Sequence, residues 1–178
     1  MNSQKELNLP NNIVSASLFK NKTLIYCTDE CYEIKIMHNI DKPEKNSTLL
    51  INPKKSKFVA GRLYGGKIII ASSEILNTSN QNIFVHVFKN PIDISTFGKT
   101  AVITDYDSKE NIFTFWIFKN NQTKLIKSVR ANAAKASFIH LNQIIIAYSA
   151  YEYGTFYINY DIFNDQLSPE TSVSENCF

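Results

Sequence analysis

The sequence predicts an all-β chain built from about four repeated antiparallel units, and three observations carry that prediction. Its apolar segments are short, β-branched and aromatic, and are punctuated by Asn, Asp, Gly, Ser and Lys. One arrangement recurs along the chain: an apolar segment, a tight turn, a second apolar segment, a loop, and a segment ending in an aromatic residue or Met. No long stretch carries an apolar stripe at helical spacing. The best helical candidate, Ser128 to Ser137, is rich in Ala but lacks such a stripe and reads as a connector.

Residues 1–11 read as a tail or one added strand, with Pro10 marking the entrance to the first unit. That unit, 12–53, runs from Ile13 through CYEIKIMHN and takes STLLINP, Ser47 to Pro53, as an outer fourth strand. The second, 56–95, carries FVAGRLYGGKIIIASS and NIFVHVFKN, with Gly65-Gly66 as a hairpin turn and Ile92 to Thr96 as a stub of a fourth strand. In the third, 96–130, GKTAVITDYD and NIFTFWIFKN precede an outer strand over Thr123 to Val129. The fourth, 133–174, pairs SFIHLNQIIIAYS with TFYINYDIFN. A single domain over 12–174 follows, with 175–178 as a C-terminal tail. Aligning Met37, Phe88, Phe118 and Phe163 as strand ends gives intervals of 51, 30 and 45 residues. Their mean is near the ~40–45 residues of a four-stranded blade.

The second clue to architecture is continuity. Ile68 to Ala71, Ile144 to Ala147 and much of Ile112 to Phe118 are apolar at successive positions, so both faces of these strands should be covered. A barrel or sandwich, the alternative, places polar residues or a cavity on one side, whereas stacked blades cover both. On these residues the chain resembles degenerate β-propeller repeats, either a small closed ring of about four blades or part of a larger propeller. In size and strand plan alone it is similar to the hemopexin type. The Gly-His and Trp-Asp pairs of WD repeats, the double glycines of kelch repeats and the Asp box of sialidases are not found.

With 44% hydrophobic and 12% aromatic residues, the 178-residue chain has a globular composition. It holds 23 Ile, 20 Asn and 17 Lys but only Arg62 and Arg130, the bias of AT-rich codons. A net charge of +3 spread along such a chain does not single out nucleic acid, and Arg is the residue that base recognition favours. The N-terminus lacks the charged start and apolar core of a secretion signal, and no apolar run approaches the ~20 residues of a membrane span, so an intracellular chain is expected if the sequence is complete. Four Asn-x-Ser/Thr sites begin at Asn21, Asn46, Asn77 and Asn121, against about three that 20 Asn and 27 Ser plus Thr give by chance, so they do not argue for secretion. Cys27 and Cys31 flank a short loop and can bond across it if oxidised, but two reduced thiols are the preferred reading.

Candidate chemistry is sparse. His38, His86 and His140 each fall in an expected strand, so structural histidines are the default; no zinc, nucleophile-elbow or phosphate-loop motif is present, and no cofactor or metal is expected. Asp105, Asp107 and Glu110 offer carboxylates at Asp-x-Asp spacing, although a solvated hairpin tip suits them better than a cation. Trp116, between Phe115 and Ile117, reads as core. Lys54, Lys55 and Lys57, and Lys124, Lys127 and Arg130, read as charges that keep edges soluble and unpaired.

The densest aromatic region is Tyr148, Tyr151, Tyr153, Phe156, Tyr157 and Tyr160. Rigid rings with polar tips suit a contact surface, and the expected partner-binding residues are Tyr148, Tyr151, Tyr153 and Tyr157. The competing structural reading has Phe156 and Tyr160 filling the core while Tyr151 and Tyr153 cover a hairpin end. The functional expectation is a non-catalytic protein-interaction or scaffold module in a larger assembly, with a protein partner and a possible homo- or hetero-oligomer. A glycan-binding or glycan-cleaving propeller and an RNA-associated subunit of a ribonucleoprotein are the alternatives.

Overall fold

The computed structural model describes residues 12–20, 22–28, 33–42, 47–51, 58–63, 66–71, 74–77, 82–86, 88–140, 143–152, 155–164 and 169–177. Every regular element among them is a β-strand. The first sheet contains β1 (Ile13–Leu18), β2 (Leu24–Thr28), β3 (Glu33–Met37) and β4 (Ser47–Ile51), and the second β5 (Phe58–Leu63), β6 (Gly66–Ala71), β7 (Glu74–Asn77) and β8 (Asn82–Val85). The third contains β9 (Pro91–Phe97), β10 (Thr100–Asp107), β11 (Ile112–Lys119) and β12 (Gln122–Arg130), and the fourth β13 (Ala133–His140), β14 (Gln143–Glu152), β15 (Thr155–Phe163) and β16 (Pro169–Cys177). Among the described residues each sheet is a four-stranded meander in chain order.

Two expectations are corrected at the junctions. Residues 92–96 belong to β9, whose Ile94 pairs with Ile103, so they open the third sheet instead of closing the second. The Ala-rich connector is mostly strand: β12 ends at Arg130 and β13 begins at Ala133, because its alanines pack in register against β14. These shifts explain the uneven sequence intervals. Phe88 follows the fourth strand of its sheet, whereas the third strands end at Met37, Asn77, Lys119 and Phe163, at intervals of 40, 42 and 44 residues. At the C-terminus β16 reaches Cys177, past the expected domain end at 174.

The turns follow from Asn and Gly. Asn120 and Asn121 have φ of 52° and 62°, the two positive values a two-residue hairpin of this twist requires, and they join β11 to β12. Gly98, with φ of 58°, supplies the single positive value, at the first turn position, between β9 and β10. Asn111, with φ of 54°, ends the β10–β11 loop, and its Oδ1 accepts a 3.0 Å bond from the Tyr106 hydroxyl. Gly65 lies outside the described residues.

The chain divides into two compact units, Met1–Val59 and Ala60–Phe178. Within the first, β2 is buried from Leu24 to Cys27, and Leu24, Tyr26 and Met37 form a small core joined by Ile13 and Ile40. The Ser15 hydroxyl donates to the Phe58 carbonyl at 2.8 Å. Cys27, fully buried, is disulfide-bonded, which corrects the reduced-thiol expectation at that residue; Cys31 lies outside the described residues.

In the second unit, first strands of successive sheets lie side by side. A Cβ on Gly61 of β5 would stand 2.4 Å from Thr96 Cγ2 and 3.3 Å from Ile94 Cδ1, so glycine permits β5 to approach β9 closely. Next, β9 meets β13: the Ser95 and Ser137 hydroxyls are 3.5 Å apart, the Phe138 amide donates to Ser95 Oγ at 3.3 Å, and Phe97 and Phe138 have ring centroids 5.9 Å apart. A core lies between the third and fourth sheets, where Val102, Phe113, Phe115, Ile117 and Val129 pack with Ala136, Ile144, Ile146 and Phe163.

Candidate functional surface

The fourth sheet holds the expected contact residues, and its register decides which of them act together. Paired residues of an antiparallel sheet share a face, and successive residues alternate between faces. One face presents the pairs Ile144 with Phe163, Ile146 with Asp161 and Tyr148 with Asn159. Ile144 and Ile146 are 1% and 0% exposed there, packed against the third sheet. The other face presents Ile145 with Ile162, Ala147 with Tyr160 and Ser149 with Ile158. All six are at least partly exposed, Ile158 to 44%, and none is charged.

Alternation therefore separates the tyrosines. Tyr148 packs its ring against the buried core, and its hydroxyl accepts a 3.1 Å bond from Lys127 Nζ, which also lies 4.8 Å from the ring centroid. Tyr157, partly buried, pairs with Ala150 and takes an alternate position on the same face. Tyr160, expected in the core, is on the opposite face and partly exposed. Tyr151 pairs with Phe156 near the end of the hairpin, and Tyr153 lies outside the described residues.

Lys127 is a structural side chain that the sequence reading misassigned. In place of a solubilising edge charge, it reaches across from β12 to form an ion pair with Asp161 on β15, whose carboxylate is almost wholly buried. A bulge in the β11–β12 pairing, between Phe115 and Trp116, sets Lys127 opposite Phe115 on the face that meets the fourth sheet. Burial works to lower the Lys127 pKa, but hydrogen bonds to Asp161 and Tyr148 outweigh it and hold the ammonium above its ordinary value. The cue in sequence was faint: an Asp between Tyr160 and Ile162 in an apolar strand needs a cationic or amide partner.

The Asp-x-Asp stretch is structural. Asp105, buried on β10, accepts from the backbone amides of Lys89 and Asn90 at 2.9 and 2.6 Å and so anchors the strap between β8 and β9. Asp107 pairs with Lys89 Nζ, which depresses its carboxyl pKa, and accepts from the Lys109 amide at 3.0 Å. On the same strap, the His86 ring lies 4.2 Å from Trp116 and 4.5 Å from Phe88 between centroids, and its Nδ1 is 3.0 Å from Thr123 Oγ1. Burial lowers the His86 pKa, partly opposed by the Asp105 charge. Trp116 is thus only partly buried, at the side of the core. Among the described residues no group of three or more His, Cys, Asp or Glu is placed to hold a metal, and no helix is long and apolar enough to cross a membrane.

No protein-family model matches the chain, and no curated protein does. Solved structures do. The β-propeller domain of Nup133 from Vanderwaltozyma polyspora is similar at a TM-score of 0.50 and 8% identity, over 94% of this chain and 59% of that one. Hsv2 from Kluyvelomyces marxianus is similar at 0.49 and 10% identity, over 93% and 60%. The β-propeller domain of the Trilobed protease from Pyrococcus furiosus, described as having an open velcro topology, gives 0.47 and 10%, over 96% and 46%. This chain spans 46 to 60% of the length of these three. At 8% identity the likeness to the Nup133 domain bears on the fold alone, and with the four four-stranded meanders it gives an all-β, propeller-like array of blades.

Proposed function

We propose that this protein is a non-catalytic interaction module within a larger assembly, binding a protein partner through the tyrosine-rich β14–β15 hairpin. The fold does not choose this reading, since propellers host many activities. The observation that carries it is the concentration of Tyr151, Tyr153, Phe156 and Tyr157 in the sequence about the end of one hairpin, whose strands of ten and nine residues pair Tyr151 with Phe156 and Ala150 with Tyr157. Tyrosine rings bury a large area at small entropic cost while their hydroxyls remain able to bond.

Within this surface the tyrosines have different tasks. Tyr148 is fixed by Lys127 and the core, so it supports the hairpin from beneath. Tyr151, Tyr153 and Tyr157 are the residues assigned to the partner. Replacing Tyr151 and Tyr153 together with Ala should reduce partner recovery in affinity purification at least tenfold, with an unchanged circular dichroism spectrum. Equal recovery by the variant and the parent chain would refute the assignment.

A further inference from the structure

Among the described residues two polar side-chain atoms, His86 Nε2 and Trp116 Nε1, are buried without a hydrogen-bond partner, and their rings are in contact. His86 follows β8, the fourth strand of the second sheet, and Trp116 lies on β11 of the third. The other imidazole nitrogen, Nδ1, meets Thr123 Oγ1 of β12 at 3.0 Å, and the Phe88 ring lies 4.5 Å from His86 and 6.5 Å from Trp116 between centroids. A neutral imidazole fits this site. With its proton on Nδ1 it donates to Thr123 and leaves only a lone pair at Nε2. An imidazolium does not fit: it carries a second N–H at Nε2, and the indole beside it is a donor that cannot accept.

We propose that this contact is an acid-released latch: on taking up a proton, His86 leaves Trp116 and Thr123 while the sheets on either side stay folded. The surrounding charges do not repair the misfit. From β10 the Asp105 carboxylate attracts the cation, but its two oxygens already accept from the Lys89 and Asn90 amides. β11 and β12 meet His86 through Trp116 and Thr123, which do not ionise in this range, and Lys119 and Lys124 alternate to the other face of the sheet from Phe118 and Thr123. On the strap itself Lys89 pairs with Asp107 and feels Glu110, and β8 holds no ionisable residue. Burial lowers the His86 pKa, so the closed contact is fully present above the ordinary value of 6.5. Below that value the opened form takes up the proton first, and the closed form is lost. Release gives Nε2 water to bond and uncovers Phe88 and Trp116. It stops at Lys89 and Asn90, which Asp105 holds and whose second carbonyl, that of Asn90, accepts from the Tyr106 amide at 2.9 Å.

The latch does not depend on the partner-binding assignment of Tyr151, Tyr153 and Tyr157, and the two can fail independently. Trp116 is the only tryptophan of the chain, so its emission, excited beyond the tyrosine band, reads the contact directly. Titrating the full chain from pH 7.5 to pH 5 should shift the emission maximum to the red and at least double quenching by acrylamide, with an unchanged far-ultraviolet circular dichroism spectrum. His86→Gln should abolish this transition. Thr123→Val covers the case in which that variant does not fold: it keeps the histidine, removes the Nδ1 partner, and should move the midpoint to higher pH. Emission that does not change over this range overturns the proposal, as does dimming without a red shift or greater quenching, the sign of an imidazolium still docked on the indole. So do a transition that persists in folded His86→Gln chains, a midpoint unmoved by Thr123→Val, or a red shift in step with loss of dichroism, which is unfolding of the whole.

Discussion

β10 and β14 occupy the same place in their sheets and are built from the same kind of sequence, yet they meet different surroundings. From Ala101 to Ile103, β10 has neighbours on both sides, whereas β14 has the third sheet on one side and an exposed apolar face on the other. Strand composition thus reports the cover a sheet is suited to, and the packing reports the cover it has. Where the two disagree, the disagreement marks a surface.

The sharpest test of the covered side is Lys127. Lys127→Ala would leave the Asp161 carboxylate without its ammonium in a site only 4% exposed, at a cost of about 3–5 kcal/mol in urea denaturation. Because the folded-state pKa of Lys127 is raised, its contribution is present below the ordinary value of 10.5 and is lost as pH rises through the folded value. The parent chain should therefore lose stability in strongly alkaline solution, and the variant should lose less. If both respond alike to alkali, the ion pair does not hold the seam.

One seam earlier, Gly61 tests close approach between first strands. Gly61→Val should cost about 1–3 kcal/mol by pressing on Thr96 and Ile94, and Thr96→Ala in the same chain should restore part of it. Strict additivity of the two changes would show that they do not meet. Smaller still is the contrast on β14 itself. Ile146→Val should cost about 1 kcal/mol, as a methylene lost from a full core, whereas Ile145→Val, at a partly exposed position, should stay within about 0.5 kcal/mol. Equal costs would mean that both faces are covered in solution.

The smallest expected effect lies at His86. Its folded-state pKa is lowered by burial, so the neutral ring is favoured in the fold and stability is fully present above the ordinary value of 6.5. Below that pH the unfolded chain takes up the proton first and stability falls. His86→Gln should remove this acid-side loss, and melting temperatures measured at pH 7.5 and 5.5 would show it. An identical pH response in the variant would assign the loss to other groups.

Much of the architecture was legible because it rests on composition and turn chemistry. Short β-branched runs predicted the strands, and paired asparagines such as Asn120 and Asn121 supplied the positive φ their hairpins need. The boundary at β9 was not legible, since Pro91 to Phe97 is an acceptable strand on either side of the junction and only its pairing with β10 decides. At the candidate surface, sequence proximity suggested one tyrosine cluster, whereas strand alternation places Tyr148 and Tyr160 on opposite faces. Lys127 was misread for a related reason: a single bulge resets the alternation along β12, and nothing in the local sequence announces it.

Each sheet here is one uninterrupted length of polypeptide, so all of its hydrogen-bonded neighbours are made within a stretch of roughly forty residues. Loop closure within a sheet is short, and a sheet can form before the next has left the ribosome. In evolutionary terms a forty-residue duplication or deletion adds or removes a whole sheet and leaves every remaining strand its hydrogen-bonded partners. Growth by whole units is thus open to such a chain without any redesign of the sheets already present.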